Sequence, residues 1–195
     1  MIWQATLCRR RWICCSRLPM KVLVIHGSMR KNGNTGILAD EFIRGAQDAG
    51  HEVEKVELRD KKFGDCFGCR ACHNNGGSCV QKDDMAEILE KVKATDVIVL
   101  ASPLYYFGMS AQLKTIVDRF YSRTGKLHGK KSIMMATAYN SADWTMEALE
   151  NHYETLVRYM EWEDVGQVWA TGCGARSLVE KSSFADMAYK IGANL

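Results

Sequence analysis

The stretch Lys21-Val22-Leu23-Val24-Ile25-His26-Gly27-Ser28-Met29-Arg30-Lys31-Asn32-Gly33-Asn34-Thr35-Gly36 decides the fold. A short aliphatic run stops abruptly in a loop of Gly, Ser, Asn and Thr with two cations, and a helical pattern begins near Thr35. Strand, polar loop, helix is the arrangement that aims backbone N–H groups and the positive end of a helix at an anion. Ser28, Asn34 and Thr35 add side-chain donors, and Arg30 or Lys31 adds charge. Two familiar phosphate loops are excluded. The triphosphate loop needs Gly-Lys-Ser/Thr, but Asn34 follows Gly33; the dinucleotide loop needs three spaced glycines, and Gly27-Ser28-Met29 breaks it. What is left is a hydroxyl-rich cradle for a single phosphate, beside the plainer reading of a βα turn whose polar residues cap the helix.

Outward from this stretch the pattern repeats. Val22, Leu23, Val24 and Ile25 are apolar without alternation, as in a parallel strand covered on both faces. Residues 35–49 place Leu38, Phe42, Gly45 and Ala49 on one helical face and stop at Gly50. Residues 51–58 alternate Val53, Val56 and Leu58 with charges, a more exposed strand. Asp84 and Glu87 form a capping-box variant ahead of the stripe Met85, Ile88, Leu89, Val92. Residues 96–101 read as a third strand, interrupted by Ser102-Pro103, and Leu113, Ile116, Val117 and Phe120 as the helix after it. Residues 132–137 are a fourth strand, and Asp143 caps a helix carrying Leu149, Tyr153, Leu156 and Met160. Residues 165–171 are a fifth, and Ser177 or Ser183 starts a last helix with Phe184, Met187, Ala188 and Ile191. Five strands alternating with five helices give a doubly wound α/β sheet.

Composition narrows the function. Hydrophobic residues make up 47% and charged residues 25% of the 195, as in an ordinary globular protein. No apolar run approaches the roughly 18 residues of a membrane span. The net charge of +3 is carried by residues 1–19, which hold Arg9, Arg10, Arg11 and Arg17 and no acid; the remainder has 22 basic against 23 acidic residues, so nothing suggests a nucleic-acid partner. Residues 1–19 show no period and end in Pro19. They lack the apolar core of a secretory signal, and the expectation is a leader outside the fold, with Met20 as the natural start and residues 20–195 as one domain in the cytoplasm.

Ligands of such a sheet bind beyond the carboxyl ends of its strands, where the strand order reverses. The loops after strands one, three and four should converge there. The first is the anion cradle, the second offers Pro103, Leu104, Tyr105, Tyr106, Phe107 and Gly108, and the third Ala138 and Tyr139. One phosphate site beside an aromatic wall suits a ligand with a phosphate at one end and a flat ring at the other, such as FMN; core or interface packing is the other reading of Tyr105-Tyr106-Phe107.

Residues 20–195 resemble the flavodoxin-like NAD(P)H-dependent FMN reductase family, and within it the iron–sulfur flavoproteins. The matching pieces are Gly27-Ser28-x-Arg30 with Asn34-Thr35, Ser102-Pro103-Leu104-Tyr105-Tyr106, Gln112-Leu113-Lys114 with Asp118-Arg119, and a compact cysteine run before Asp83-Asp84-Met85. The resemblance implies a five-stranded sheet of order 2-1-3-4-5. It implies that Ser28, Arg30, Asn32, Asn34 and Thr35 hold the FMN phosphate, and that Pro103 to Gly108 with Ala138 and Tyr139 border the ribityl chain and ring. It also implies a homodimer or homotetramer. Lys114, Asp118 and Arg119 are expected as an ion-pair set on a helix surface.

The cysteines of the 59–82 loop are Cys66, Cys69, Cys72 and Cys79, spaced C-x2-C-x2-C-x6-C. Structural zinc usually draws on two separated pairs. Three cysteines at this interval are closer to the ferredoxin run, although the last gap is longer and Val80 stands where that run has proline. A [4Fe–4S] cluster is what the resemblance implies, with zinc or free thiols as the alternatives, and His73 as a bystander. No side chain stands out as acid, base or nucleophile, and His26 reads as a packed histidine. The expected activity is an NAD(P)H-dependent FMN oxidoreductase, passing electrons to a small-molecule or protein acceptor, with the cluster as relay. The alternative is an electron carrier linked to ferredoxin that does not use NAD(P)H.

Overall fold

The computed structural model describes residues 18–195, so the expectation for residues 1–19 lies almost wholly outside the described residues. Five parallel strands, β1 (Lys21–His26), β2 (Glu52–Glu57), β3 (Val97–Pro103), β4 (Lys131–Thr137) and β5 (Glu163–Ala170), form one sheet in the order 2-1-3-4-5. The helices are α1 (Asn34–Asp48), α2 (Ala71–Asn74), α3 (Met85–Ala94), α4 (Ala111–Arg119), α5 (Glu147–Met160), α6 (Arg176–Glu180) and α7 (Ser183–Ala193). This is the flavodoxin-like order. No helix among the described residues is long and apolar enough to cross a membrane.

β1 pairs on both edges, with Val22 opposite both Val53 and Val97, which explains its unbroken apolar run. Alternate side chains point to opposite faces. Val22, Val24, Val97, Val99 and Ile133 pack under Leu38 and Phe42 of α1, Val179 of α6 and Ala188 of α7. Leu23, Ile25, Ile98, Leu100 and Met134 pack under Ile88 of α3, Leu113 and Ile116 of α4, and Leu149 and Tyr153 of α5. The result is three layers. The α1–α7 contact is closer than side chains allow: a Cβ on Gly45 would stand 2.1 Å from the Tyr189 carbonyl oxygen, and one on Gly192 would stand 2.3 Å from that of Phe42.

Several expected boundaries shift. β3 runs on through Ser102 and Pro103, which pairs with Thr137 of β4 after β1 has ended opposite Ala101. The last helix is two, α6 and α7, and the cap of α7 is Ser182, whose Oγ accepts the Phe184 N–H at 3.3 Å. The capping box ahead of α3 is not made. The Asp84 carboxylate accepts from the Lys62 N–H at 2.7 Å, the Met85 N–H donates to Asp83 Oδ1 at 3.2 Å, and Glu87 pairs with Lys61 and Lys91. These bonds exist because the stems of the cysteine loop lie side by side. The Asp84 N–H returns a bond to the Lys62 carbonyl (3.0 Å), the Gly64 N–H reaches Asp83 Oδ2 (3.1 Å), and Gln81 Nε2 reaches the Asp65 carbonyl (2.8 Å).

Candidate functional site

The loops at the carboxyl edge of the sheet are bonded to one another. The Gly27 N–H donates to the Ala101 carbonyl at 2.8 Å, and Ser110 Oγ donates to the Gly27 carbonyl at 2.8 Å. Gly27 has no room for a side chain, since a Cβ there would lie 2.7 Å from Ser110 Oγ and 2.9 Å from Leu113 Cβ. Ser28 is buried and its hydroxyl accepts the Arg30 N–H at 3.3 Å. The plainer reading of this turn, polar residues capping α1, does not hold. The N-cap is Gly33, no side chain caps it, and no acid sits in the first turn. Asn34 turns away and donates Nδ2 to the Cys173 carbonyl at 2.6 Å, while Thr35 Oγ1 lies 2.7 Å from Thr137 Oγ1, both buried. The Gly36 N–H turns back to the Gly33 carbonyl at 3.1 Å, and the N–H groups of Asn34 and Thr35 are left open to an outside acceptor. Arg30 and Asn32 are exposed beside them.

The β3 loop makes a tight turn. The Tyr105 N–H and Gly108 carbonyl bond at 3.0 Å, and the Gly108 N–H and Tyr105 carbonyl at 3.1 Å. Tyr106 and Phe107 occupy its centre at φ 45° and 63°, the left-handed region, which costs a bulky residue about 1–2 kcal/mol. Strain of this kind persists where the surroundings hold it and gathers at ligand clamps. Tyr105, Tyr106 and Phe107 are all exposed, so the core-packing alternative is corrected; Leu104 and Pro103 are half-buried. Phe107 packs on Trp144, ring centroids 5.2 Å apart. Ala138 is buried, its carbonyl accepting the Cys173 N–H at 2.8 Å, and Tyr139 is exposed.

In the cysteine loop Cys72 is buried, Cys79 half-buried, and Cys66 and Cys69 exposed. None of the four is in a disulfide, and all line one small cavity, together with Arg119. Among the described residues no three His, Cys, Asp or Glu side chains are gathered around a single metal-ion position. His73 stacks on Tyr121 instead, centroids 4.9 Å apart. Lys114 and Asp118 pair on the surface at 2.5 Å, as expected, but the expectation for Arg119 is corrected: its side chain is only 3% exposed. Arg119 Nη1 donates to the Gly64 carbonyl at 3.1 Å and to the Asp83 carboxylate. Burial pushes the Asp83 pKa up, but the Arg119 guanidinium and the N–H groups of Gly64 and Met85 outweigh it and hold the carboxyl below its usual range. Thr115 Oγ1 adds a bond to Asp65 at 3.0 Å. Helix α4 thus grips the β1 loop with its N-cap, Ser110, and the cysteine loop with its last residue.

His26 is 1% exposed. Its Nδ1 lies 2.6 Å from Glu57 Oε2, and since a carboxylate only accepts, the imidazole donates. Burial lowers the His26 pKa against the pull of Glu57. Its Nε2 faces the Gly36 turn of α1 with no partner.

Sequence reasoning missed four contributors. Cys173, whose thiol pKa is raised by burial, follows β5 in a Gly-Cys-Gly turn; the carboxyl-edge rule applies to that strand as much as to the others. Arg119 stands three residues after Ile116, on the buried face of α4, and that spacing was its signal. Asp83, its partner, and Thr137, facing Thr35, carried no signal beyond their polar type.

Comparison with known proteins agrees with this geometry. An iron–sulfur flavoprotein of Archaeoglobus fulgidus is 42% identical over 113 residues, covering 57% of this chain and 51% of its own length. One of Methanocaldococcus jannaschii is 45% identical over 100 residues, covering 51% of each chain. The chain spans about half the length of the curated relatives it matches. Among solved structures, an NAD(P)H:quinone oxidoreductase from Methanothermobacter marburgensis superposes with a TM-score of 0.73 at 17% identity, over 90% of this chain and 96% of that one, which supports the fold. The family described as NADPH-dependent FMN reductase matches residues 20–175, from the strand that carries the open helix end to the turn that anchors Asn34. With the sheet order, the β1 loop and that match in agreement, the chain belongs to the NADPH-dependent FMN reductase family.

Proposed function

We propose that this protein is an FMN-dependent oxidoreductase that takes electrons from NAD(P)H. The observation that carries the reading is the uncapped, acid-free N-terminus of α1 opening beside exposed aromatics of the β3 and β4 loops. That arrangement fits a phosphate and a flat ring held on one molecule. Ser28, Arg30, Asn32, Asn34 and Thr35 would hold the phosphate, Asn34 through its backbone N–H since its side-chain amide is tied to Cys173, with Pro103, Leu104, Tyr105, Tyr106, Phe107, Gly108, Ala138 and Tyr139 along the ribityl chain and ring. The four thiols of Cys66, Cys69, Cys72 and Cys79 fit a [4Fe–4S] cluster. They line one cavity, and such a cluster takes one thiolate for each of its four irons. When bound, FMN supplies hydride acceptance and release of single electrons, and the cluster supplies their relay to an acceptor. The exposed Tyr106, Tyr139 and Trp144 support a second subunit, as a homodimer or homotetramer, at this edge.

The test is anaerobic mixing of the purified protein with NADPH and with NADH. Bleaching of the flavin band within seconds is the expected result. A flavin that neither reduces, but that reduced ferredoxin does, would make the protein the carrier instead. Thr35 gives a finer check. Its hydroxyl has one proton and two acceptor positions, so accepting from Thr137 leaves its own proton for the phosphate. Thr35→Val is expected to weaken FMN by about 1–3 kcal/mol and riboflavin, which lacks the phosphate, hardly at all, read by fluorescence titration. Equal losses for both would mean that Thr35 does not face the phosphate.

A further inference from the structure

Two cations line the cavity ringed by the four cysteines, the exposed Arg70 and, against its inner side, Arg119. The Arg119 guanidinium is buried, and its nitrogens are unequally used. Nη1 serves both the Gly64 carbonyl and the Asp83 carboxylate, while Nη2 is buried without a hydrogen-bond partner. An ionised N–H left in that state is costly, and such groups in folded proteins ordinarily find an acceptor. Arg119 is held in place from outside the cavity: Asp83 fixes the fork, and Asp83 is itself fixed by the N–H groups of Gly64 and Met85. The fork therefore cannot turn Nη2 to water without giving up its carboxylate. Of the four cysteines, Cys79 is the one that shares the cavity wall with Arg119 closely enough to help hold the guanidinium protonated, behind the larger effect of Asp83.

We propose that Arg119 is a positioning residue for the cysteine site, its Nη2–H donating to a sulfur on the Cys79 side and thereby raising the reduction potential of the cluster held there. The inference rests on the cluster reading given above. Its physics is that reduction adds one electron, and so one negative charge, to a group already bearing four thiolates. A directed N–H stabilises the more negative state more than the oxidised one. The Arg119–Asp83 pair is close to neutral as a whole, so the effect comes from the aimed donor and not from net charge. Arg70, which also lines the cavity, is exposed and solvent-screened.

The test is a potentiometric titration, followed by electron paramagnetic resonance, of anaerobically prepared wild type, Arg119→Met, Asp83→Asn and the double variant, with iron per chain and thermal unfolding of each recorded beside it. Arg119→Met, made also in the Asp83→Asn background so that no charge is left uncovered, is expected to lower the reduction equilibrium constant at least tenfold relative to Asp83→Asn alone, which is about 59 mV for a one-electron couple. Asp83→Asn loosens the fork but removes a negative charge, and its potential is expected not to fall. An iron-bearing double variant at the potential of Asp83→Asn would overturn the proposal. So would an equal fall in the two single variants, because Arg119 would then be only a staple for the loop. If the double variant loads no iron, the decision passes to Arg70→Lys protein grown with arginine carrying 15N only in the guanidinium. A 15N coupling to the reduced cluster in pulsed resonance supports the donor, and its absence overturns it. Wild type without iron when prepared free of oxygen overturns this proposal along with the cluster reading, and is distinguishable because it appears before any variant is made.

Discussion

Serine in place of Cys72 is expected to cost the protein most of its iron while leaving its flavin. Cys72 is the buried member of the four and the second residue of α2, where its carbonyl accepts from the N–H groups of both Asn75 (3.2 Å) and Gly77 (2.9 Å). Its sulfur is thus the one whose position the loop backbone fixes most closely. A hydroxyl is a harder and poorer ligand for iron than a thiolate, so the site should empty or degrade. The proposed cradle for the phosphate lies on the β1 loop and the proposed wall for the ring on the β3 and β4 loops, none of which contains a cysteine of this set. FMN content and its reduction by NAD(P)H should therefore survive, and transfer to a one-electron acceptor should fall. Iron and sulfide analysis with a visible spectrum decides it. Undiminished iron in Cys72→Ser would remove this residue from the ligand set. Iron-free wild type would turn the four into zinc ligands or free thiols, and the flavin reading would stand without them.

Gly45→Ala is expected to destabilise the fold by about 3 kcal/mol, although helix propensity taken alone favours the change by about 1 kcal/mol. Packing wins because of what blocks the new methyl. The Tyr189 carbonyl oxygen would lie 2.1 Å from it, and a backbone atom inside α7 cannot rotate aside as a side chain would. The two helices must separate, and the apolar layer of Phe42, Ala46 and Ala188 opens with them. Gly192→Ala should behave alike, against the Phe42 carbonyl at 2.3 Å. The double variant should cost less than the sum, since one separation accommodates both methyls. Urea unfolding of the three variants checks this, and a stabilised Gly45→Ala would mean that the helices do not meet there.

The elements most legible in the sequence were those whose pattern is local. Val22 to Ile25 read as a central strand because it is buried on both faces, and the stripe Met85, Ile88, Leu89, Val92 read as a helix because burial repeats with the helical period. The ends were less legible. Ser182 and not Ser177 or Ser183 caps α7, and Asp83 and not Asp84 serves the start of α3, because adjacent residues of equal capping ability are separated only by what lies opposite them.

For this chain the sequence by itself determined the order of strands and helices, the open loop at Ser28 to Thr35, the aromatic run at Tyr105 to Phe107 and the spacing of four cysteines, all written in neighbouring residues. The tertiary structure alone decided which polar groups were spent and which left open. Asn34 is tied to Cys173 across 139 positions, Thr35 to Thr137 across 102, and Arg119 to Asp83 across 36. A hydrogen bond depends on distance and direction in space, and the distance along the chain carries neither. That is why Arg119, expected on a helix surface, lies instead against the cavity of the four cysteines.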